Sequence, residues 1–216
     1  MRIGDSIIVA LVVLIVFVAA RGRSDEREAL ADVGTMSVES SIDNNDYTVH
    51  GGFANRDGAA DLLAVANQTI LDLMAYCRRR QKKGLYTANQ SALVSNMFER
   101  YDPDNIAENS PANSAGETSF TINKGERLVL CLRGKTSFDL HDRNVIKFVA
   151  LHELTHIAEN VRNHPRQFWK SFKFVLSQAV SAGLIEPECY DRAPVKYCGM
   201  DITYNPYCDD SLEATA

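Results

Sequence analysis

The stretch VALHELTHIAENVRNHPRQFW, residues 149–169, decides both the fold and the chemistry of this chain. It contains the motif HELTH at residues 152–156. Four residues advance a helix by about 6 Å and turn it by only about 40°, so His152 and His156 project from one face and can bind one metal ion. Glu153 lies beside these two ligands, where it can act as a base toward a metal-activated water. The motif therefore predicts two ligands and a general base.

The neighbours of the motif favour this interpretation over a helix with purely structural histidines. The residues before it, 149–151, and those after it, Ile157 and Ala158, are uncharged. A helix that crosses the interior of a protein needs such neighbours, because a stray charge there would be buried without a partner. The helix is predicted to begin at a cap supplied by Asp142 or Asn144.

His164 is the candidate third ligand. It follows His156 by eight residues, which on an unbroken helix would place it about 12 Å further along the axis. However, Pro165 disfavours helical geometry at His164 and suits the first turn of a new helix. We therefore expect the first helix to end around Arg162 and the chain to turn at Asn163. A second helix from Pro165 to Gly183 would then carry His164 at its head.

Three histidines with one open position are typical of a catalytic zinc site, so Zn²⁺ is the expected cofactor. The alternative for His164 is a surface residue at a helix start.

Other candidates are weaker, and His141 and His50 are expected to lie outside the site. Glu186 or Glu188 could supply a carboxylate ligand, and a hydroxyl that stabilises the oxyanion could come from one of three tyrosines that otherwise pack: Tyr190, Tyr197 and Tyr204.

The same residues resemble the WLM and SprT-like group of zincin metallopeptidases, which place Phe-Trp after the third histidine, as Phe168 and Trp169 stand here. Members of that group usually place the third histidine six residues after the second, whereas here it follows eight residues after. The chain is most similar to short, membrane-anchored WLM-like proteins of large DNA viruses, over about Arg127 to Thr203. The resemblance implies zinc ligands His152, His156 and His164, with Glu153 as the catalytic base.

The amino terminus is predicted to be a separate segment, residues 1–23. It contains an unbroken apolar run from Ile7 to Ala20, which is of borderline length for a membrane span. A retained single-pass anchor is the favoured interpretation, and a signal peptide cleaved after Ala20, which would make the protein secreted, is the alternative. Basic residues at 21, 23 and 27 weakly favour a cytosolic position for the domain that follows.

Cysteines and glycosylation triplets bear on the same question of topology. The chain has five cysteines, three of them near the carboxyl terminus. A lumenal domain would pair some of them, whereas a cytosolic domain would leave buried thiols. The triplets that begin at Asn67 and Asn89 match the N-glycosylation pattern and matter only if the domain faces a lumen.

The remaining sequence predicts an α+β domain over residues 56–216, preceded by a polar linker at residues 24–55 in which some docked structure is expected near YTVHGGF, residues 47–53. Apolar residues recur at helical spacing from Ala59 to Lys83, and Thr87 can cap a second helix that continues to about Tyr101. Residues 102–117 are predicted to be a polar loop. Two strands follow around a turn at residues 124–125, and Leu128 to Arg133 is the candidate sheet edge for binding an extended substrate.

The net charge excludes one class of function. The chain has 23 basic and 28 acidic residues, a formal net charge of −5, so general nucleic-acid binding is not expected. The predicted function is a membrane-tethered zinc metalloendopeptidase with a zincin-like fold that acts on protein or peptide substrates. The alternative is a membrane-tethered, zinc-stabilised binding module without catalysis, which a fourth protein ligand from Glu186, Glu188 or a carboxyl-terminal cysteine would indicate.

Overall fold

Five strands form one mixed sheet against which helices pack, in an α+β arrangement. The computed structural model describes residues 34–109, 119–122 and 127–215. The strands are β1 (Thr35–Glu39), β2 (Asp46–His50), β3 (Ile106–Asn109), β4 (Phe120–Ile122) and β5 (Arg127–Cys131). The helices are α1 (Arg56–Lys82), α2 (Ala88–Arg100), α3 (Arg143–Glu159) and α4 (Arg166–Ser181). A hairpin of β6 (Val195–Tyr197) and β7 (Met200–Ile202) precedes a 3-10 turn at Pro206–Cys208.

The sheet has the strand order β1-β2-β3-β5-β4. The two inner pairs, β2 with β3 and β3 with β5, are parallel, and the two outer pairs are antiparallel. The predicted strands around residues 124–125 are therefore present as β4 and β5. The prediction that Leu128 to Arg133 forms the sheet edge is wrong, because β5 has β3 on one side and β4 on the other. The edge on this side is β4.

The two helices predicted before the sheet's last strands are confirmed. Asn55 caps α1 by accepting a hydrogen bond from the backbone of Gly58, and Gly84 adopts φ +68° directly after the helix, a conformation that favours glycine. Thr87 caps α2 in a reciprocal capping box with Gln90. Both helices bury an apolar face against α3, and α1 also packs against the sheet.

Two segments predicted to lack regular structure contribute strands instead. The predicted linker at residues 24–55 contains β1 and β2, and the predicted polar loop at residues 102–117 contains β3, whose four residues are all buried. The apolar alternation of β1 and β2 covers only two residues in each strand, at positions 36 and 38 and at positions 47 and 49, and β3 ends in two polar residues. These signals are too short to distinguish a strand from a polar segment. In β3 the polar residues Glu108 and Asn109 are buried among partners that lie far away in the sequence.

The main partner of Glu108 is Arg133, at the end of β5. Arg133 Nε donates to Glu108 Oε1 over 2.7 Å, and both side chains are buried. The second carboxylate oxygen accepts from the backbone N–H of His50. The two terminal nitrogens of the same guanidinium group donate to the backbone carbonyls of Ala54 and Asn55. This satisfied network joins β2, β3, β5 and the start of α1, as a buried charge requires.

Two disulfides join segments outside the sheet to each other and to β5. Cys131, the last residue of β5, is bonded to Cys198 in the β6–β7 hairpin, and Cys189 is bonded to Cys208. Cys77 is a buried free thiol.

The predicted amino-terminal segment, residues 1–23, lies outside the described residues. Among the residues that the structure describes, none of the helices is both long and apolar enough to cross a membrane.

The buried ion pair yields a stability prediction. Replacing Glu108 with Gln keeps the shape of the side chain but leaves the Arg133 charge buried without its counter-ion, so we expect the free energy of unfolding to fall by about 3–5 kcal/mol. The matched control is Asp201→Asn, which removes an ion pair with Lys196 whose side chains are 46% and 83% exposed; it should cost at most about 1 kcal/mol. Urea denaturation measures both, and equal losses would contradict the assignment.

Candidate metal centre

Helix α3 carries the HELTH motif through the interior of the domain. It packs against α1, α2, α4 and the sheet, and most of its residues are buried. Asp142, one of the two predicted caps, caps the start of this helix by accepting a hydrogen bond from the backbone N–H of Asn144. A helix that is apolar on nearly every side is stable only where other elements surround it.

The chain reverses directly after α3. The helix ends at Glu159, and Asn160 adopts a left-handed conformation with φ 56°. The reversal therefore begins three residues earlier than the predicted turn at Asn163, because asparagine tolerates the left-handed region that most side chains avoid.

Helix α2 supports this reversal from outside. Asn96 donates to the carbonyl of Ala158, and Arg100 donates to the carbonyls of Ile157 and Ala158. These carbonyls have no partner within the helix at its carboxyl end. The positive charge of Arg100 is also favourable at this end of the helix dipole.

The reversal brings His164 back to the two histidines of the motif. The three Nε2 atoms are separated by 3.1 Å between His152 and His156, 3.0 Å between His156 and His164, and 2.9 Å between His164 and His152. Ligand nitrogens around a tetrahedral zinc ion, at zinc–nitrogen distances of about 2.0–2.1 Å, lie roughly 3.4 Å apart. Within the described residues, the metal-binding cluster consists of these three histidines. The residues present fit a zinc ion.

The protonation of the three rings also suits a metal site. Burial lowers the pKa of His156 to about 4, lowers the pKa of His152 well below its usual value, and lowers the pKa of His164. All three rings are therefore neutral near pH 7, as metal ligands must be. His156 Nδ1 lies 2.8 Å from the carbonyl oxygen of Val161. A carbonyl can only accept, so Nδ1 carries the proton and Nε2 presents a lone pair to the cluster.

An aromatic wall on α4, formed by Phe168, Trp169 and Phe172, holds the three imidazoles. The Phe168 ring contacts all of them, stacking on His156 with centroids 4.2 Å apart and meeting His152 and His164 edge-on at 4.9 Å and 4.8 Å. Trp169 stacks on His164, and Phe172 meets His152 edge-on. Helical spacing predicts that these side chains face inward, but it does not reveal that they contact the ligands.

Glu153, the second residue of the motif, is buried, with 6% of its surface exposed. Burial raises the pKa of its carboxyl group to about 8. A cation bound by the neighbouring histidines would oppose this effect, because an opposite charge nearby favours the ionised form. The side chain therefore has a pKa that its surroundings can move across neutrality, which is typical of groups that transfer protons.

The structure places the remaining candidates away from the three Nε2 atoms. Glu188 accepts a hydrogen bond from Asn144, at the amino-terminal end of α3, and the backbone of Glu186 bonds the same residue. His141 accepts from the backbone N–H of Cys198. His50 belongs to the Glu108 network.

The three candidate tyrosines have different surroundings. Tyr190 is buried against Phe148, and Tyr204 meets Trp169 edge-on. The hydroxyl of Tyr197 shares a 2.6 Å hydrogen bond with that of Ser119. Burial raises the pKa of Tyr197, and the negative charge of Glu153 adds to the rise. Among the three, Tyr197 is thus the one whose electrostatic environment includes Glu153.

Comparisons with known proteins find viral relatives. The chain is 28% identical over 200 residues to uncharacterized protein R325 of Acanthamoeba polyphaga mimivirus, covering 93% of this chain and 94% of that protein. It is 40% identical over 73 residues to uncharacterized protein 136R of Invertebrate iridescent virus 6, covering 33% of this chain and 40% of that protein. Uncharacterized protein 042R of Invertebrate iridescent virus 3 is 29% identical over 124 residues, which cover 56% of this chain and 74% of that protein. No protein-family model and no solved structure matches the chain.

The convergence of three rings predicts the effect of removing one. His164→Ala should weaken zinc binding by more than the 10–100-fold that loss of an outer-shell partner typically costs, because it deletes one of three ligands. Asn163→Ala, at the exposed neighbouring position, is the control and should bind zinc like the wild type. Competition titration against a chromophoric chelator measures both variants. Unchanged affinity in His164→Ala would exclude it as a ligand.

The aromatic wall yields a second prediction, with a control on the same helix. Phe168 and Phe174 are both buried, but Phe174 packs against Tyr86 and not against the histidines. Phe168→Leu and Phe174→Leu should each cost about 1 kcal/mol of stability through altered packing. We expect only Phe168→Leu to weaken zinc binding, by roughly 10-fold, because the rings lose their support. Equal zinc affinities in the two variants would show that the wall does not position the ligands.

Proposed function

We propose that this protein is a zinc-dependent metalloendopeptidase. The observation that carries the proposal is the convergence of three neutral imidazole nitrogens within 3.1 Å, with the buried Glu153 next to His152 in the chain. A set of three protein ligands leaves a position for a reacting molecule, as catalytic zinc sites do. When bound, the zinc supplies a Lewis acid that activates water and polarises a carbonyl group.

The residues of the site then have distinct roles. His152, His156 and His164 bind the metal through Nε2, and the Val161 carbonyl fixes the tautomer of His156. Glu153 accepts a proton from the attacking water and later donates it to the leaving amine, as one group acting first as base and then as acid. The aromatic wall covers one side of each imidazole and limits the ways in which the ligands can turn.

The surroundings of α3 support a zincin-like domain as the fold behind this chemistry. Strand β4 is the edge of the sheet that packs against α3, so an extended peptide that paired with β4 would run beside the site. The order of elements, with HELTH on an interior helix and the third histidine before the next helix, supports the proposed kinship with the WLM and SprT-like group. We further propose that the amino-terminal apolar segment tethers the domain to a membrane.

The candidates for a fourth ligand also bear on the choice between an enzyme and a zinc-stabilised binding module. The three carboxyl-terminal cysteines, Cys189, Cys198 and Cys208, are in disulfides, so their sulfurs are not available as thiolate ligands. Glu188 is bonded to Asn144 instead. Among the described histidine, cysteine, aspartate and glutamate side chains, the cluster comprises these three histidines. Three protein ligands with an open position are typical of a catalytic site, which favours the enzyme.

The decisive experiment separates metal binding from catalysis. Glu153→Gln should retain zinc, because the ligands are intact, and should lose about 10²–10⁴-fold in cleavage of a denatured, fluorescently labelled protein, because the amide cannot accept the proton. Glu186→Gln, at an exposed position that bonds only through its backbone, is the control and should cleave normally. Zinc is quantified by metal analysis in both variants. Cleavage at the wild-type rate by Glu153→Gln would refute the proposed role, and a wild type that binds zinc without cleaving would favour the binding module.

A further inference from the structure

Asn67 is the first residue of the glycosylation triplet at residues 67–69, yet it lies inside the domain. Its side chain, in the middle of α1, is 5% exposed. The amide nitrogen donates to the hydroxyl of Tyr47 over 3.3 Å and to the carbonyl of Pro103 over 3.0 Å, and the amide oxygen accepts from the hydroxyl of Tyr101 over 2.7 Å. Asn67 thus joins α1 to β2 and to the segment that precedes β3.

This fold cannot form around a glycosylated Asn67. A glycan is attached to the amide nitrogen, where it would replace one of the two donated hydrogens and place a bulky polar sugar among buried side chains. Losing these bonds in the interior leaves polar groups without partners, which is costly. Burial in the finished fold gives no protection, because a chain entering the secretory lumen receives its glycans before it has folded.

The disulfides point to an oxidising environment. The Cys131–Cys198 bond joins residues 67 positions apart, and the Cys189–Cys208 bond joins residues 19 positions apart. Disulfides form and persist in oxidising compartments, whereas the cytosol keeps thiols reduced. The relatives come from an amoebal virus and from viruses of invertebrates. The host cells of such viruses are eukaryotic, and their secretory lumen both oxidises thiols and glycosylates asparagines.

We propose that this domain folds outside the glycosylating lumen and receives its two disulfides there from a dedicated partner, a disulfide-donating thiol oxidoreductase. A thiolate of each cysteine pair attacks the donor's disulfide to form a mixed disulfide, and the second cysteine then displaces the donor as a dithiol. For each bond, the two cysteine thiols are oxidised and the donor disulfide is reduced by two electrons, with both protons passing to the donor's thiols. The basic residues 21, 23 and 27 agree with a cytosolic position of the domain.

The first test places the domain of the full-length chain in the lumen of cultured eukaryotic cells. Added lysines before Arg2 and replacement of Arg21, Arg23 and Arg27 with Gln reverse the orientation of the amino-terminal apolar segment. The wild type should carry a glycan on Asn67, detected as a glycosidase-sensitive mass shift, and should fail to form both disulfides. Thr69→Val removes the acceptor triplet but keeps Asn67, and Val has the shape of the Thr69 side chain, whose hydroxyl bonds only the carbonyl of Val65. This variant should fold in the lumen with four cysteines protected from alkylation.

Ser91→Ala is the matched control. It removes the second triplet, whose Asn89 is exposed in the first turn of α2, so it should not rescue lumenal folding. A lumenal wild type that forms both disulfides as completely as Thr69→Val would overturn the proposal, whether or not it carries a glycan on Asn67.

The second test uses the full chain with its own amino terminus, produced with and without a cytosolic flavin-dependent sulfhydryl oxidase and a disulfide isomerase. We expect no glycan in either case. Alkylation followed by mass measurement should find one free thiol, that of Cys77, with the oxidase, and five without it. A glycan on this chain, or five free thiols in the presence of the oxidase, would overturn the proposal. None of these measurements depends on zinc or on peptide cleavage, so they test the proposal independently of the proposed enzymatic function.

Discussion

The left-handed conformation of Asn160 is the constraint on which the candidate site depends. If α3 continued as a helix to His164, that ring would lie about 12 Å from His156 along the axis. Because the helix stops at Glu159, the Nε2 atoms of the two residues are instead 3.0 Å apart. The reversal exposes carbonyls at the end of α3, and α2 satisfies them through Asn96 and Arg100. A helix distant in the sequence thus stabilises the geometry of the ligands, and the domain around the motif is part of the site.

The ligands are held by packing as well as by the backbone. Each imidazole lies against at least one ring of the aromatic wall on α4, and Phe168 touches all three. Helices α3 and α4 are in turn linked by a short hydrogen bond between Glu159 and the fully buried Ser171. These contacts restrict the orientation of the rings and favour the one in which their Nε2 atoms converge. This arrangement lowers the cost of ordering the ligands when a metal binds, which is the general advantage of a preorganised site.

The convergence of the three histidines can be predicted from the sequence more easily than the sheet, and the reason is physical. The HELTH motif, the proline after His164 and the caps at Asp142 and Thr87 are local signals, so each can be interpreted within a few residues. Strand β3 depends on the ion pair between Glu108 and Arg133, which lie 25 positions apart. Without knowledge of this partner, a charged residue such as Glu108 predicts an exposed loop. Strand order is equally non-local, which is why β5 was mistaken for an edge. Five cysteines likewise allow many pairings, and only the fold brings Cys131 to Cys198.

The non-local contacts that hold the sheet to α1 are separate from the contacts that hold the histidine cluster. The Glu108–Arg133 network and Asn67 lie among β2, β3, β5 and α1, whereas the histidines lie between α3 and α4. The extensive apolar core that joins all these elements is formed by protein side chains alone. A bound ion then adds only the stabilisation that its concentration and affinity provide, unlike the metal of a small zinc-dependent fold that is unfolded without it. The histidine cluster is therefore built onto a fold that other interactions maintain, so the proposed metal centre can be changed by substitution with little effect on the rest of the domain.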